Sequence, residues 1–263
     1  MILTDDHVHL NHKLYTDLEG VLERAKKAGV KAIICSGVNI PTNREVLELA
    51  RKYGPLVKCS FGIYPTDAIG KGGEGTGLSP QNEHFNVEEE LEFIKKHKGE
   101  IAAIGEAGLD YHWIKDDALK RQMREIFEKV IECAEKTKLP LVVHSRKAES
   151  DCMDMLESSK VKKVVQHCFT GKKKTVKRGV DLGHFFSIPS AINRVPQFSM
   201  NAEIVPLKQT LTETDGPYMT PEPGRVSEPK DVLITVKKIA ELKGLTPEEV
   251  ANQIWLNFQE VYC

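Results

Sequence analysis

The 263-residue sequence lacks the features that most directly assign a protein to a membrane or a nucleic acid. Its formal net charge is only -1, so the overall balance indicates neither partner, although charge can still be segregated on one face. No apolar run approaches the roughly 20 residues of a membrane span. The start MILTDDHVHL becomes charged too early for a signal peptide. We therefore expect a soluble, cytoplasmic protein without a membrane partner, and no obligate protein partner is evident.

Cysteines are few, and nucleotide-binding glycine motifs are missing. The six cysteines form no CxxC pair, and we expect reduced thiols that serve as small core residues: Cys35, Cys59, Cys133, Cys152, Cys168 and Cys263. The sequence has no GxGxxG or P-loop motif, no internal repeat and no linker of the kind that separates domains.

What the chain does have is a regular alternation of short apolar runs with longer amphipathic stretches. The apolar runs predict eight strands, at 1–8, 30–38, 56–63, 100–108, 139–145, 161–168, 183–190 and 207–215. The amphipathic stretches predict helices at 16–28, 41–53, 87–98, 116–137, 147–159, 172–181, 195–206, 228–243 and 246–261. Eight strands, each followed by a helix, indicate a (β/α)8 TIM barrel that occupies residues 1–263 as a single domain, since such barrels use about 250 residues.

Two predicted loops differ from the rest in composition. Loop 66–86 is rich in glycine, and loop 216–229 is rich in proline. Both follow predicted strands, on the side of a barrel where active sites lie. Surface insertions without a role are the alternative, and this alternative is weaker for the second loop because it begins beside a candidate ligand.

Two histidines stand one residue apart at the end of the first predicted strand. Residues i and i+2 of a strand point to the same face, so His7 and His9 can both aim into the mouth of the barrel. Alone, the pair is weak evidence, because surface and capping histidines are common. We expect the neighbouring Asp5 and Asp6 to be solvated or to support the ligands rather than to bind a metal directly.

Four more candidate ligands occur near the carboxyl ends of later predicted strands: Glu106, His144, His167 and Asp215. Structural histidines would not be confined to strand ends on one face, whereas barrel enzymes collect catalytic groups there. Six ligands exceed what one tetrahedral ion requires, so we predict two divalent ions with Glu106 as their bridge. Mixed nitrogen and oxygen ligands suit Zn or Mn and tolerate Mg. By contrast, we expect His12, His84 and His97 at the surface.

A site with two ions activates water for attack on a phosphoryl or carbonyl centre, so the predicted reaction is hydrolysis. Asp215 can hold an ion and also take the proton from the attacking water, although a turn or capping role before Gly216 remains open. Arg146 and Arg225 are candidate contacts for an anionic substrate, with surface roles equally open. The lysine run 172–174 is typical of a solvated helix start rather than a nucleic-acid patch.

The motif set DDHVHL, GEAGLDYHW, VVHSR, QHCFTG and TETDGPYMTP resembles the TatD family of metal-dependent deoxyribonucleases, within the amidohydrolase superfamily, over nearly the whole chain. The Asn257-Phe258 pair is similar to an Asn-aromatic pair near that family's C-terminus. The resemblance implies that His7, His9 and Asp215 hold one ion, that His144 and His167 hold the other, and that Glu106 bridges. It also implies a cytoplasmic phosphodiesterase acting on DNA, often as a 3′-to-5′ exonuclease, with Mg, Mn or Zn.

The sequence departs from the family pattern at one place. GIYP at 62–65 stands where many members have Gly-x-His-Pro, so Tyr64 replaces a histidine thought to face the substrate. A tyrosine near its usual pKa of about 10 is a neutral donor at pH 7. Metal binding is expected to survive this change, whereas contact with a phosphate at this position is in doubt.

Two other functions remain open from the sequence. One is a small-molecule hydrolase of the wider superfamily, cleaving an amide, lactone or phosphotriester. Many of these hydrolases have a carboxylated lysine after the fourth strand. This chain has Glu106 there and in this respect resembles the nuclease family. The other is a metal-binding scaffold without catalysis, which is disfavoured because no candidate ligand is missing.

Overall fold

The computed structural model describes residues 1–72, 78 and 85–263, and within them eight parallel strands pair in chain order. They are β1 (Leu3–Val8), β2 (Val30–Ser36), β3 (Val57–Ile63), β4 (Ala103–Asp110), β5 (Leu141–Arg146), β6 (Val164–Gln166), β7 (Phe185–Pro189) and β8 (Thr210–Glu213). Each pair of neighbours is parallel, as the alternation of strands and helices predicts. The predicted (β/α)8 barrel is confirmed.

Helices follow the strands and cover the outside of the sheet. They are α1 (Leu18–Ala28), α2 (Ile40–Tyr53), α3 (Pro65–Ala68), α4 (Val87–Lys96), α5 (Asp117–Thr137), α6 (Glu149–Glu157), α7 (Lys173–Asp181), α8 (Pro196–Ile204), α9 (Val232–Lys243) and α10 (Pro247–Tyr262). The short α3 was not predicted and occupies the start of the glycine-rich loop 66–86. Residues 73–77 and 79–84 of that loop, His84 among them, lie outside the described part of the chain.

Hydrogen bonds between β1 and the segment after β8 join the two ends of the sheet. The amide of Asp215 donates to the carbonyl of His7 at 2.9 Å, and the amide of His9 donates to the carbonyl of Gly216 at 2.8 Å. The carboxylate of Asp5 accepts from the Thr214 amide at 2.9 Å and from its hydroxyl at 2.6 Å. This seam therefore sets His7 and His9 directly beside Asp215.

The C-terminal helix α10 packs against the bottom of the barrel. Phe258 and Tyr262 belong to one buried cluster with apolar residues contributed by six strands: Ala32, Ile34, Ala103, Val142, Val165, Phe185 and Leu211. Asn257 donates from Nδ2 to the carbonyls of Leu207 and Thr210, both at 2.7 Å, which ties the helix to the start of β8. The Asn257-Phe258 pair thus holds a helix against the sheet.

Several expectations about burial need correction. His12 is buried rather than at the surface, because its Nδ1 accepts from the Leu14 amide at 3.0 Å and its ring packs edge-on against Tyr218. His97 is half-buried and packs on Phe93. Asp5 and Asp6 are fully buried, which excludes the solvated role and leaves the expected alternative, support of the ligands.

The burial of the cysteines and the character of the helices can also be compared with the sequence-based expectations. Four of the six cysteines are buried as predicted, whereas Cys168 is half-buried and Cys263 is exposed. In the described residues, no helix has both the length and the apolar character needed to cross a membrane.

Candidate metal centre

The six predicted ligands converge at the carboxyl ends of the strands. Their nitrogen and oxygen atoms fall into three groups whose members lie within 4.8 Å of one another: His7 with His9 and Glu106, His7 with His167 and Asp215, and Glu106 with His144 and His167. The rings of His7 and His167 stack with their centroids 3.7 Å apart. The groups share members, so the candidate ligands form one continuous cluster.

The carboxylate of Glu106 lies at the centre of this cluster. Its Oε1 is 2.7 Å from Nδ1 of His144 and 3.8 Å from Nε2 of His167. Its Oε2 is 3.4 Å from Nε2 of His7 and 3.8 Å from Nε2 of His9. Each oxygen thus faces a different pair of histidines, as a carboxylate that bridges two cations would.

The sequence predicts Glu106 at the end of its strand, but the structure places it in the middle of β4. The strand continues because β4 and β5 stay paired as far as Asp110 and Arg146. Gly105 precedes the ligand with φ +128°, and a Cβ there would lie 2.3 Å from the carbonyl oxygen of Val142. Only glycine lets β4 approach β5 so closely at this point.

Ser36 at the end of β2 orients both histidines of the HxH pair. Nδ1 of His9 donates to the Ser36 carbonyl at 2.9 Å, so in the neutral ring Nε2 carries no proton and can bind a cation. Nδ1 of His7 lies 3.2 Å from the Ser36 hydroxyl. Nε2 of His9 and Nε2 of His7 then lie 3.5 Å and 4.0 Å from Oδ1 of Asp215.

Nε2 of His7 is buried and has no hydrogen-bond partner among the described residues. An unpaired polar atom in such a place costs about 1–3 kcal/mol of stability. A cation bound at this nitrogen would satisfy it. The orphaned atom and the mixed nitrogen and oxygen donors together fit a divalent metal.

Two carboxylates that sequence reasoning missed support the ligands. Oδ2 of Asp110 lies 3.2 Å from Nε2 of His144, and Nδ1 of His167 donates to Oε2 of Glu213 at 2.7 Å. Each could have been found from strand spacing, because Asp110 is four residues after Glu106 and Glu213 is two before Asp215. Carboxylates that bind the second nitrogen of a ligating histidine fix its ring and raise its basicity.

The protonation of the metal-free cluster follows from these contacts. Burial lowers the pKa of His167, but the adjacent Glu213 carboxylate raises it to about 10. Burial also lowers the pKa of His144, but its contacts with Asp110 and Glu106 outweigh this effect and raise the pKa to about 9. Burial raises the pKa of Glu106, but the close contacts of its carboxylate with His144, at 2.7 Å, and with His7, at 3.4 Å, bring it well below the usual range. At neutral pH, protons on His144 and His167 therefore balance the buried carboxylates, as metal cations would.

His7 and Cys168 behave differently from these histidines. Burial and the neighbouring His167 lower the pKa of His7 to about 4, so its ring is neutral at pH 7. Cys168 forms a further group with His167 and Glu213, but burial and nearby carboxylates raise the pKa of its thiol. A neutral thiol is a poor metal ligand.

The cluster opens into a cavity of about 880 Å³ whose lining includes two of the three predicted substrate contacts. Oη of Tyr64 lies 3.5 Å from Nε2 of His144, and burial raises the pKa of this phenol, so it remains a neutral donor. Arg146 also lines the cavity. Arg225 is not among the described residues that line the cavity. Its guanidinium instead donates to both carboxylate oxygens of Asp231, at 2.8 and 2.9 Å.

Known proteins resemble this chain along almost its full length. A metal-dependent hydrolase of Bacillus subtilis named YabD is 33% identical over 260 residues, which covers 95% of each chain. The human deoxyribonuclease TATDN3 is 31% identical over 255 residues, or 94% of this chain and 90% of the human protein.

The fold is also that of solved structures. The crystal structure of YJJV, a TatD homologue from Escherichia coli K12, superposes with a TM-score of 0.85 at 24% identity and covers 99% of this chain and 97% of that one. The family described as TatD related DNase matches residues 4–263. The chain therefore belongs to the TatD-related DNase family.

Proposed function

We propose that this protein is a divalent-metal-dependent phosphodiesterase that hydrolyses DNA. The observation that carries the proposal is the placement of Glu106, whose two carboxylate oxygens face separate histidine pairs at the floor of an open cavity. The human relative named a deoxyribonuclease supports the choice of substrate.

In this proposal two ions, of Mg, Mn or Zn, occupy the cluster. His7, His9 and Asp215 would hold one ion, His144 and His167 the other, and Glu106 both. When bound, the ions would lower the pKa of a water and neutralise charge on the phosphoryl oxygens. The nitrogen-rich donor set favours transition metals over Mg, which prefers oxygen ligands.

The carboxylate of Asp215 accepts the proton of the attacking water. Asp215 lines the cavity, with Oδ1 3.5 Å from Nε2 of His9, so it reaches both the ligand cluster and the space where substrate would lie. A base must lie within hydrogen-bond reach of the proton that it takes. The water oxygen forms a bond to phosphorus, the bond from phosphorus to the leaving sugar oxygen breaks, and that oxygen takes a proton from solvent to leave as an alcohol.

Tyr64 and Arg146 hold the substrate phosphate. The neutral phenol of Tyr64 donates a hydrogen bond, and the guanidinium of Arg146 supplies positive charge at the cavity wall. Removal of nucleotides from the 3′ end is the direction of cleavage that we propose.

The test is hydrolysis of end-labelled single- and double-stranded DNA by protein stripped with a chelator and then reloaded with Mn, Mg or Zn. Activity should disappear on stripping and return with metal, and a 3′ label should be released first. A simple lactone serves as the comparison substrate. Turnover of the lactone alone would replace this proposal with a small-molecule hydrolase.

Matched variants separate the centre from the rest of the protein. Glu106→Gln and Asp215→Asn should abolish turnover, and His144→Asn should lower bound metal measured by plasma emission spectrometry. His97→Asn removes an imidazole outside the cluster and should leave both properties unchanged. Full activity in Glu106→Gln would refute the proposed centre.

A further inference from the structure

An exposed indole and an exposed guanidinium lie side by side on the wall of the cavity. Trp113 retains 64% exposure although it is a large apolar residue. Cζ of Arg146 lies 5.5 Å from the centre of the indole ring, within the range of cation–π attraction. Arg146 has no carboxylate partner within the described part of the chain. The pair therefore offers a planar apolar surface next to a guanidinium that forms no ion pair with any described residue.

We propose that Trp113 and Arg146 form a nucleotide subsite, in which the indole stacks on the base next to the cleaved phosphodiester and the guanidinium contacts that nucleotide's phosphate. The subsite rests on the proposed function, because it names how the substrate is held at the same cavity. It adds a base contact that the metal centre alone does not provide.

The position of the subsite relative to the metal centre is fixed by Asp110. Oδ1 of Asp110 accepts from the amides of His112 at 2.8 Å and Trp113 at 3.1 Å, which holds the turn that carries the indole. Oδ2 of the same carboxylate lies 3.2 Å from Nε2 of His144. One buried side chain thus connects the indole to a candidate metal ligand.

Strand pairing also fixes the position of Arg146 relative to Asp110. Asp110 pairs with Arg146 in the β4–β5 ladder, and the Tyr111 amide donates to the Arg146 carbonyl at 2.9 Å. Groups placed by adjacent strands and a shared carboxylate keep their spacing better than groups on independent loops. The distance from Trp113 and Arg146 to the ligand cluster is therefore set by the sheet itself.

The chemistry of the pair favours a nucleobase with its phosphate over a phosphate alone. An indole gains little from an inorganic anion, whereas every base has a π-face that can stack on an aromatic ring. The carboxylates of Glu106 and Asp215, which also line the cavity, would repel a phosphate without a nearby cation. Arg146 supplies that charge beside the indole.

Kinetics with a base-free substrate test the stacking contact. Trp113→Ala should lower kcat/KM for single-stranded DNA by about 10- to 100-fold, mainly through KM, whereas Trp113→Phe should keep most of it. In the unmodified protein, replacing the terminal base of the DNA by an abasic sugar should lower kcat/KM by a similar factor. In Trp113→Ala, the same replacement should lower kcat/KM no further. Leu256→Ala, which truncates another exposed apolar side chain on α10, is the matched control.

Fluorescence provides a readout that does not depend on turnover. The chain has only two tryptophans, so Trp255→Phe leaves Trp113 as the single reporter. Metal-loaded Trp255→Phe protein should lose fluorescence on binding an oligodeoxynucleotide protected by terminal phosphorothioates. The same oligomer with an abasic terminal sugar should change the signal much less.

The outcomes separate this inference from the proposed function. Equal kcat/KM for DNA in Trp113→Ala and unmodified protein would overturn the subsite. It would also be overturned if Trp113→Ala lowered kcat/KM equally on normal and on abasic DNA, because that result indicates a structural role for the indole. Unchanged Trp113 fluorescence on DNA binding would also overturn it. Absence of any metal-dependent DNA turnover in the unmodified protein would instead refute the proposed function.

Discussion

His167 donates a hydrogen bond from Nδ1 to the buried carboxylate of Glu213 at 2.7 Å, and the other carboxylate oxygen accepts from the Cys168 amide at 2.9 Å. Glu213 therefore fixes both the ring and the backbone of a candidate metal ligand. The interaction leaves Nε2 of His167 facing Glu106 and Asp215, at 3.8 and 3.9 Å.

Glu213→Gln should weaken metal binding without removing a ligand. The amide cannot stabilise His167 as the carboxylate does, and loss of such support typically lowers metal affinity about 10- to 100-fold. Competition with a chromophoric chelator measures the change. Glu222→Gln, at an exposed glutamate that forms an ion pair with Arg225 at 3.6 Å and lies outside the ligand cluster, is the control. Equal affinity in both variants would contradict the role assigned to Glu213.

Metal binding should release protons at neutral pH. The pKa values of about 9 for His144 and about 10 for His167 mean that both imidazoles are protonated in the metal-free protein, and a metal must displace these protons. Affinity should rise with pH until it passes those values. Calorimetry in buffers of different ionisation enthalpy should detect the release of about two protons, whereas no buffer dependence would show that the imidazoles are already neutral.

The metal-free protein should become less stable as pH rises from about 6.5 to 10. Both histidines have pKa values above their unfolded value of about 6.5, so their contribution is fully present below that value and is lost through pH 9–10. Thermal melting of chelated protein across this range tests the sign. The metal-loaded protein should lack this slope, since bound metal replaces the protons. A flat profile for the chelated protein would contradict the assignment.

Tyr64→Phe should lower kcat/KM for DNA about tenfold while leaving metal content unchanged. The variant removes only the hydroxyl that we propose as a donor to the phosphate, and hydrogen bonds to charged groups contribute about 1.5–3 kcal/mol. Tyr64→His should retain more activity, because an imidazole can also donate. Loss of metal in Tyr64→Phe would instead place the hydroxyl in support of His144, 3.5 Å away.

Phe258→Ala should destabilise the fold by about 3–5 kcal/mol, because it removes a fully buried ring from the bottom of the barrel. Urea unfolding measures the loss. Leu256→Ala, two residues earlier and 57% exposed, should change stability by less than about 0.5 kcal/mol. Similar losses in both variants would mean that α10 does not close the barrel.

Much of the site could be predicted from sequence because strand periodicity is a local property. His7 and His9 share a strand face, and Glu106, His144, His167 and Asp215 lie in or just after later strands, so the barrel arrangement brings them together. Strand spacing could also have placed Asp110 and Glu213 on the faces of Glu106 and Asp215, but not which histidine each carboxylate contacts. The pairing of His167 with Glu213 joins residues 46 apart in sequence and reaches from the end of β6 across β7 to β8.

The two arginines show the same limit. Arg146 and Arg225 both follow predicted strands on the side where a barrel site lies, so the sequence could not separate them. In the structure, Arg225 pairs with Asp231, whereas Arg146 faces the cavity beside Trp113. Which cation stays uncompensated depends on where the acidic residues of other elements lie.

The HxH pair, the order of strands and helices, and the set of six candidate ligands were determined by the sequence alone, because apolar periodicity and residue type are local. Tertiary structure decided that Glu106 lies within β4 rather than at its end, that Asp110 joins His144 to the Trp113 turn, and that α10 closes the barrel. These relationships depend on strand register and long-range packing, which local patterns do not encode.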